Sequence, residues 1–305
     1  MASIRSKIIN TLLRNRHLFQ GKWCKEVFTA ETSIDDFRAL CEKGAARYNK
    51  LPAGIQSREA EICGMKSLWV YPQEAPAEKV VLYVHGGGYV SGSCSDHRGV
   101  VAKFAAANGY RHLLFEYRLA PEFPFPAALD DALAVYEYLL ANGYNAGDIL
   151  IAGESAGGGL SLALLLAIKD KGLEMPAAAV AISPWTDLSC SGESYHTKNK
   201  VSVAPLDSWN VFAQHYAGGQ DVKNPLISPL FGDLSDLPPL FIIAGMDDEL
   251  FDDGRVFAEK AREQGVDVTF RAGKGMVHCY PLLAPMFPEA TAAMKEISGF
   301  IRKNL

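Results

Sequence analysis

The chain has 305 residues, a formal net charge of −5 and a hydrophobic fraction of 49%, which is ordinary for a globular protein. The mild acidity excludes a general polyanion binder, because there is no basic excess to neutralise phosphates, and the apolar fraction excludes a disordered chain. No apolar run approaches the ~18 residues that a membrane-spanning helix needs.

The first fifty residues are predicted to be helical. A first helix has apolar residues at helical spacing, and a second is predicted to begin at Thr32 or Ser33, where a hydroxyl can cap it. The apolar positions are Ile4, Ile8, Leu12 and Leu13 in the first helix and Ile34, Phe37, Cys41, Ala45 and Tyr48 in the second. The first helix is also basic, which is typical of a membrane-surface helix, but one short basic stretch anchors weakly. We therefore favour a helix that packs over the main domain.

Strands and helices alternate from residue 57 onward. The predicted strands are 58–63, 66–71, 80–84, 113–117, 149–152, 178–182, 240–244 and 266–271, and the predicted helices are 97–107, 126–141, 157–171, 253–264 and 288–303. This order implies right-handed crossovers and a mostly parallel central sheet with helices on both faces. The predicted fold class is therefore α/β.

One long segment interrupts the alternation, because residues 184–229 contain no strand signal and a single predicted helix, 206–216. Insertions of this length after a sheet strand are often functional lids, and the aromatic residues here favour a lid over a surface excursion without a role. These residues are Trp185, Tyr195, Trp209, Phe212 and Tyr216. The predicted organisation is one compact unit with an N-terminal helical cap segment (1–50), an α/β core (51–185 and 226–305) and a cap insertion (186–225).

The sequence Gly153-Glu154-Ser155-Ala156-Gly157 follows a predicted buried strand and opens a predicted helix. This strand–turn–helix context is that of a nucleophile elbow, a turn so tight that Gly153 and Gly157 must be small. The turn lifts the Ser155 hydroxyl above the sheet, where a base can reach it. Ser155 is therefore interpreted as a nucleophile rather than as an ordinary helix-capping serine.

A second glycine-rich motif, His85-Gly86-Gly87-Gly88, directly follows another predicted strand. Glycines leave backbone N–H groups uncovered, and an oxyanion on an attacked carbonyl needs such pre-aimed donors. We expect an oxyanion hole at Gly86, Gly87, Gly88 and Ala156. Gly86 shapes the turn and the other three donate, while His85 is interpreted as structural. A phosphate loop is excluded, because no Gly-Lys-Ser/Thr follows.

A serine nucleophile needs a base, and the base needs an orienting acid. Three histidines follow Ser155, of which His196 and His215 lie in the predicted lid. His278 follows the last predicted strand, where a loop can carry it over the elbow, so it is the candidate base.

The acid is expected in the loop after the predicted strand 240–244. Asp247 and Asp248 both stand there, and Asp252 and Asp253 follow one helical turn later. Position alone does not choose between Asp247 and Asp248.

Together these motifs resemble the bacterial hormone-sensitive-lipase-like esterases, an α/β-hydrolase group with an HGGG oxyanion motif. The matching segments are HGGGYVSGS (85–93), EYRLAPEFPFPAALDD (116–131), GESAGGGL (153–160), SPWTDLS (183–189), DELFDDG (248–254) and VHCYP (277–281). The resemblance covers residues 60–303, and it implies an α/β-hydrolase fold with a helical cap.

The resemblance also assigns roles. The family's nucleophile corresponds to Ser155 and its base to His278. Its acid corresponds to Asp248, because a D-x-L/M-x-D spacing is matched from that residue. The family usually has Asp or Thr before the nucleophile, whereas this chain has Glu154.

The predicted function is carboxylic ester hydrolysis through a Ser-His-Asp triad and an acyl-enzyme intermediate, and the resemblance implies short- to medium-chain acyl esters. Hydrolysis of lactones, small amides or formamides passes through the same oxyanion and stays an open alternative. A true lipase would need a large exposed apolar lid surface. A non-catalytic small-molecule receptor, as the plant gibberellin receptors are, would have lost the histidine that this chain keeps.

No cofactor or metal is expected, because the triad needs neither and the chain has no HExxH motif or Cys/His cluster. The six cysteines form no CxxC pair, and residues 1–15 carry no secretory signal, which together favour a cytoplasmic protein with free thiols. The expected partner is a small-molecule ester. Nucleic acid and stable membrane insertion are not expected, and the resemblance allows a homodimer.

Overall fold

The computed structural model describes residues 2–19, 21–46 and 49–305, so Tyr48 of the predicted second helix lies outside the described residues. The strands are β1 (Ile55–Ile62), β2 (Met65–Pro72), β3 (Val80–Val84), β4 (Arg111–Phe115), β5 (Ile149–Glu154), β6 (Ala178–Ile182), β7 (Leu240–Gly245) and β8 (Val268–Gly273). The helices are α1 (Ile4–Arg14), α2 (Arg16–Phe19), α3 (Ile34–Ala45), α4 (Cys94–Asn108), α5 (Ala127–Ala141), α6 (Ala156–Asp170), α7 (Glu193–Thr197), α8 (Ser208–Ala217), α9 (Phe251–Glu263) and α10 (Pro288–Asn304).

The eight strands form one sheet in the order β1-β2-β4-β3-β5-β6-β7-β8. The β1–β2 and β2–β4 pairs are antiparallel, and the remaining pairs are parallel, which confirms the predicted mostly parallel sheet. β3 lies between β4 and β5. After β3 the chain adds β4 on one side of that strand and then crosses to add β5 on the other side. In open α/β sheets, ligands bind outside the carboxyl ends of the strands at such a point.

Successive residues of each central strand face opposite sides of the sheet. In β3, Val80, Leu82 and Val84 belong to one hydrophobic core, and Val81 and Tyr83 belong to the other. The first core lies under α5, α6 and α9, and the second lies under α4 and α10. Both faces are therefore covered, and the predicted fold class is confirmed.

Side-chain capping explains one difference from the predicted boundaries. Helix α4 begins at Cys94, three residues before the predicted start, because the Ser93 hydroxyl accepts a hydrogen bond from the Asp96 N–H at 3.1 Å. A hydroxyl in this position satisfies one of the N–H groups that a helix start leaves free.

The N-terminal helix packs on the main domain, but not through its apolar side. The buried residues of α1 are Ser6 and Asn10, whereas Ile4, Ile8 and Leu12 are exposed. Asn10 donates from Nδ2 to the Gly275 carbonyl oxygen at 2.9 Å. Helix α1 therefore lies on the main domain, and polar groups make the contact.

The long insertion holds α7 and α8 and meets the N-terminal segment at a parallel bridge between Val27 and Leu206. Its separation from the core as a distinct segment stays a prediction. All six cysteines are free thiols. In the ranges that the structure describes, no helix is both long and apolar enough to cross a membrane.

Replacement of Ser93 by Ala is expected to lower the free energy of unfolding by about 1 kcal/mol, because the substitution removes the acceptor at the start of α4. Urea denaturation measures the change. Ser95→Ala, in the exposed first turn of the same helix, is the matched control and should change stability by less than about 0.5 kcal/mol. Equal losses in the two variants would contradict the capping role.

Candidate active site

Ser155 occupies a sharp turn between β5 and α6. Its backbone has φ 56° and ψ −125°, a left-handed conformation that is a genuine outlier for a side-chain-bearing residue. A Cβ atom on Gly157 would lie 2.2 Å from the Val84 carbonyl oxygen, and one on Gly153 would lie 2.4 Å from the Gly157 carbonyl oxygen. The backbone contacts therefore require glycine at both positions, as the tight turn predicts.

Backbone hydrogen bonds from the neighbouring strand hold this turn in place. The Ser155 N–H donates to the Ile182 carbonyl oxygen at 2.9 Å, and the Trp185 N–H donates to the Ser155 carbonyl oxygen at 3.0 Å. The hydroxyl does not cap α6. The hydroxyl therefore makes no hydrogen bond to the first turn of the helix that follows it.

Asp248 and His278 lie in the loops after β7 and β8, and the structure brings them together. His278 Nδ1 lies 2.8 Å from Asp248 Oδ2, and the Asp248 side chain is fully buried. Asp248 Oδ1 also accepts a hydrogen bond from the Leu250 N–H. Asp247 points elsewhere and pairs with Arg14, so the geometry favours Asp248 over Asp247 as the orienting acid.

The buried pair changes the titration of the imidazole. Burial lowers the pKa of His278, but the charge and hydrogen bond of Asp248 outweigh it and hold that pKa well above its usual value. A carboxylate on Nδ1 also fixes the ring so that Nε2 is presented to a reaction partner.

Cys279 occupies a position beside the base. Its Sγ lies 3.4 Å from His278 Nε2, and its N–H donates to Ser183 Oγ. Across residues 2–19, 21–46 and 49–305, the Ser155 hydroxyl makes no hydrogen bond, so the thiol and not the serine contacts Nε2 in this structure. Burial raises the pKa of the Cys279 thiol, which keeps it protonated.

The glycine loop after β3 presents unoccupied donors near Ser155. Gly87 and Gly88 have φ 123° and 67°, and their N–H groups have no acceptor in the described parts of the chain. Ala156 is the first residue of α6, so its N–H has no intrahelical partner. The Gly86 N–H donates to Glu154 Oε1 at 2.8 Å. Gly86 is thus unavailable as a donor in this structure, which agrees with its role in shaping the turn.

Glu154 links the elbow to this glycine loop. Its buried carboxylate accepts from the Gly86 N–H and lies 2.9 Å from His97 Nε2. Burial raises the pKa of Glu154, but the charge of His97 together with the hydrogen bonds that Glu154 accepts lowers it overall. Burial lowers the pKa of His97, but the charge and hydrogen bond of Glu154 contribute to raising it overall. The two side chains therefore form an ion pair behind the nucleophile.

His85 has the structural role expected from its position. It is fully buried, its ring stacks on Tyr117 at 4.1 Å, and its Nδ1 lies 2.9 Å from the Gly86 carbonyl oxygen. Burial lowers the pKa of His85 to about 3. A neutral ring at the base of the loop stabilises the loop without adding charge.

Aromatic side chains of the long insertion cover the site. Trp209 contacts the His278 ring with centroids 5.6 Å apart, and a Cβ atom on Gly88 would lie 2.5 Å from the Phe212 ring. Trp209 Nε1 donates to Glu249 Oε2 at 3.1 Å. Trp209 and Glu249 also line a cavity of 470 Å³ with Tyr195. The insertion is therefore part of the site, which supports the lid interpretation.

Sequence reasoning missed several of these contributions. Glu249 follows the acid directly, yet nothing in its spacing indicates that it would bind Trp209. The sequence analysis places His97 only in a predicted helix, although a histidine in the first turn of the helix that follows the glycine loop is a usable signal. His196 and His215 are absent from the pair formed by Asp248 and His278, as predicted. In the described portion of the chain, no cluster of His, Cys, Asp and Glu side chains has metal-binding geometry.

The chain is similar to known proteins over most of its length. Residues 81–282 match a family model described as alpha/beta hydrolase fold. An acetyl-hydrolase of Streptomyces hygroscopicus is 42% identical over 236 residues, which are 77% of this chain and 78% of that protein. An esterase of Acinetobacter venetianus is 33% identical over 81% of this chain and 82% of its own length.

Solved structures are similar over nearly the whole chain. The EstE5 structure soaked with p-nitrophenyl butyrate has a TM-score of 0.91 and 37% identity, and it covers 99% of each chain. An esterase from the bacterial hormone-sensitive lipase family has a TM-score of 0.90 and 36% identity, covering 100% of this chain and 99% of its own.

Replacement of Asp248 by Asn is expected to lower the pKa of His278, because the nearest negative charge is removed from a buried imidazole. Titration of the His278 ring by NMR measures this, and the wild-type midpoint should lie above the usual value for histidine. Asp247→Asn removes the same charge one residue away and should shift the midpoint much less. A larger shift in Asp247→Asn would contradict the pairing.

Proposed function

The chain belongs to the bacterial hormone-sensitive-lipase-like esterases of the α/β-hydrolase family and is a carboxylic ester hydrolase, and on that premise we propose that it hydrolyses short- to medium-chain acyl esters through Ser155, His278 and Asp248. The 2.8 Å contact between His278 and Asp248 is the observation that carries the proposal, and the strained backbone turn at Ser155 supports it. A nucleophile, a base and an orienting acid thus come from three loops at one edge of the sheet.

In the first half of the reaction, Ser155 Oγ attacks the acyl carbonyl carbon while His278 Nε2 takes the hydroxyl proton. The carbonyl oxygen becomes an oxyanion, which the N–H groups of Gly87, Gly88 and Ala156 stabilise. Asp248 holds the imidazolium that forms. The C–O bond to the alcohol then breaks, and the alcohol leaves with the proton from Nε2.

In the second half, His278 Nε2 takes a proton from water as the water oxygen attacks the acyl-enzyme. A second oxyanion forms in the same hole, the bond to Ser155 Oγ breaks, and Oγ recovers a proton from Nε2. The acid product leaves. Base function needs a neutral imidazole, so it is lost as the pH falls below the raised pKa of His278.

The cap residues support a substrate of modest size. Trp209 and Phe212 pack over His278 and Gly88, which leaves an apolar surface beside the reacting groups, as small-molecule sites usually have. The close packing of Phe212 on Gly88 leaves little room at the glycine loop, so we expect short acyl chains to be hydrolysed in preference to long ones. The soak of p-nitrophenyl butyrate into EstE5 concerns a similar protein and a short acyl ester.

Hydrolysis of p-nitrophenyl esters from acetyl to palmitoyl tests the proposal. We expect activity at short and medium chains and a decrease toward palmitoyl, and Ser155→Ala should lower kcat by at least about a thousandfold. Ser161→Ala replaces another buried serine, one in α6 whose hydroxyl donates to the Gly157 carbonyl oxygen, and it controls for general disturbance of α6. Activity retained in Ser155→Ala, or an optimum at palmitoyl, would contradict the proposal. A wild-type protein that is folded but hydrolyses none of these esters would also contradict it, and lactones and small amides would then be assayed.

Alkylation of Cys279 is expected to inactivate the enzyme, because an adduct on Sγ would lie within contact distance of His278 Nε2. Incubation with N-ethylmaleimide followed by an ester assay measures the loss. Cys279→Ala should keep its activity under the same treatment, which isolates this thiol from the other five. Unchanged wild-type activity after complete alkylation, confirmed by mass spectrometry, would refute the expectation.

A further inference from the structure

The N-terminal segment exposes an unusual amount of apolar surface. Of the twelve large hydrophobic side chains that are exposed in the described part of the chain, seven lie in residues 4–27. Ile4 is 78% exposed, Phe19 is 74% exposed and Trp23 is 93% exposed. Single exposed hydrophobic residues are ordinary, but a concentration of them marks an interaction site.

The orientation of α1 makes this exposure systematic. Ile4, Ile8 and Leu12 recur every four residues and form one stripe, which we call the α1 stripe. At 3.6 residues per turn, this stripe lies opposite Ser6 and Asn10, the two residues that α1 buries. The helix is thus held by its polar side and presents its apolar side outward.

Positive charge borders the α1 stripe. Arg5 and Lys7 are exposed and, by helical spacing, lie on its two sides. Residues 1–25 contain six Lys and Arg and no Asp or Glu, although the whole chain has a net charge of −5. An apolar stripe with flanking cations and nearby Trp and Phe is the pattern of a helix that lies in a lipid headgroup layer.

We propose that the α1 stripe and its flanking cations dock on an anionic lipid surface. The apolar side chains enter the headgroup boundary, and Arg5 and Lys7 contact the lipid phosphates. A second copy of this chain fits the surface less well, since an isologous contact would place the same cations against each other.

This docking would place lipid on the outer side of a helix whose inner side contacts the catalytic loops. Asn10 bonds to Gly275, which lies three residues before His278, and Arg14 pairs with Asp247, the neighbour of Asp248. Helix α1 therefore lies on both loops that carry the acid and the base. The docking goes beyond the proposed esterase function and does not depend on it, because vesicle binding is measured without turnover.

Co-sedimentation of the full chain with vesicles tests the proposal. We expect binding to phosphatidylcholine vesicles that contain phosphatidylglycerol and much weaker binding to phosphatidylcholine alone. Ile8→Glu should weaken binding to the anionic vesicles roughly tenfold, and Arg5→Glu with Lys7→Glu should weaken it by a similar factor or more. Both sets of residues are exposed, so hydrolysis of a soluble ester should be unchanged and reports a folded protein.

Two matched variants complete the test. Phe231→Glu adds the same charge at an exposed apolar site outside the N-terminal segment, and Arg58→Glu with Lys303→Glu reverses two exposed cations elsewhere. Neither should change vesicle binding. Absence of wild-type binding to anionic vesicles, or equal losses in test and control variants, would overturn the proposal. A concentration-dependent dimer that Ile8→Glu dissociates in the absence of lipid would assign the stripe to a second copy instead and would also overturn it.

Discussion

The left-handed backbone of Ser155 is the constraint on which the rest of the site depends. A side-chain-bearing residue holds such a conformation only where its surroundings fix it. Here β6 bonds to the N–H of Ser155, and the segment after β6 bonds to its carbonyl oxygen. The two flanking glycines let α6 approach β3 and β5 at backbone contact distance. The positions of α6 and of the nucleophile therefore depend on this one turn.

A buried carboxylate connects this turn to the rest of the machinery. Glu154 bonds the Gly86 N–H and pairs with His97, so the elbow and the glycine loop keep a fixed separation. The ion pair is enclosed. Gly86 and His97 both contact Oε1 of Glu154, whereas Oε2 is buried without a hydrogen-bond partner among the described residues. The Glu154 side chain is accommodated because His97 lies within reach of its carboxylate.

The sequence was informative where patterns are local. Short apolar strands alternating with helices predicted the sheet. The two glycine motifs indicated Ser155 and the oxyanion loop, because a tight turn needs small residues and an oxyanion needs uncovered backbone N–H groups. Tertiary proximity was less accessible, since Asp247 and Asp248 differ only in where their side chains point. The orientation of α1 is inaccessible for a similar reason, because only the folded surface shows that Gly275 offers a carbonyl oxygen to Asn10.

The attachment of α1 through polar groups has a consequence for local unfolding. A helix that docks through its apolar face gains stability from water release, whereas α1 gains it from directional bonds such as those of Asn10 and Arg14. Each such bond contributes only about 1 kcal/mol net. Detachment of α1 would expose little new apolar surface, so it requires neither a large heat-capacity change nor the opening of the central sheet. The N-terminal helix can therefore exchange with solvent as its own unit while the catalytic loops stay folded.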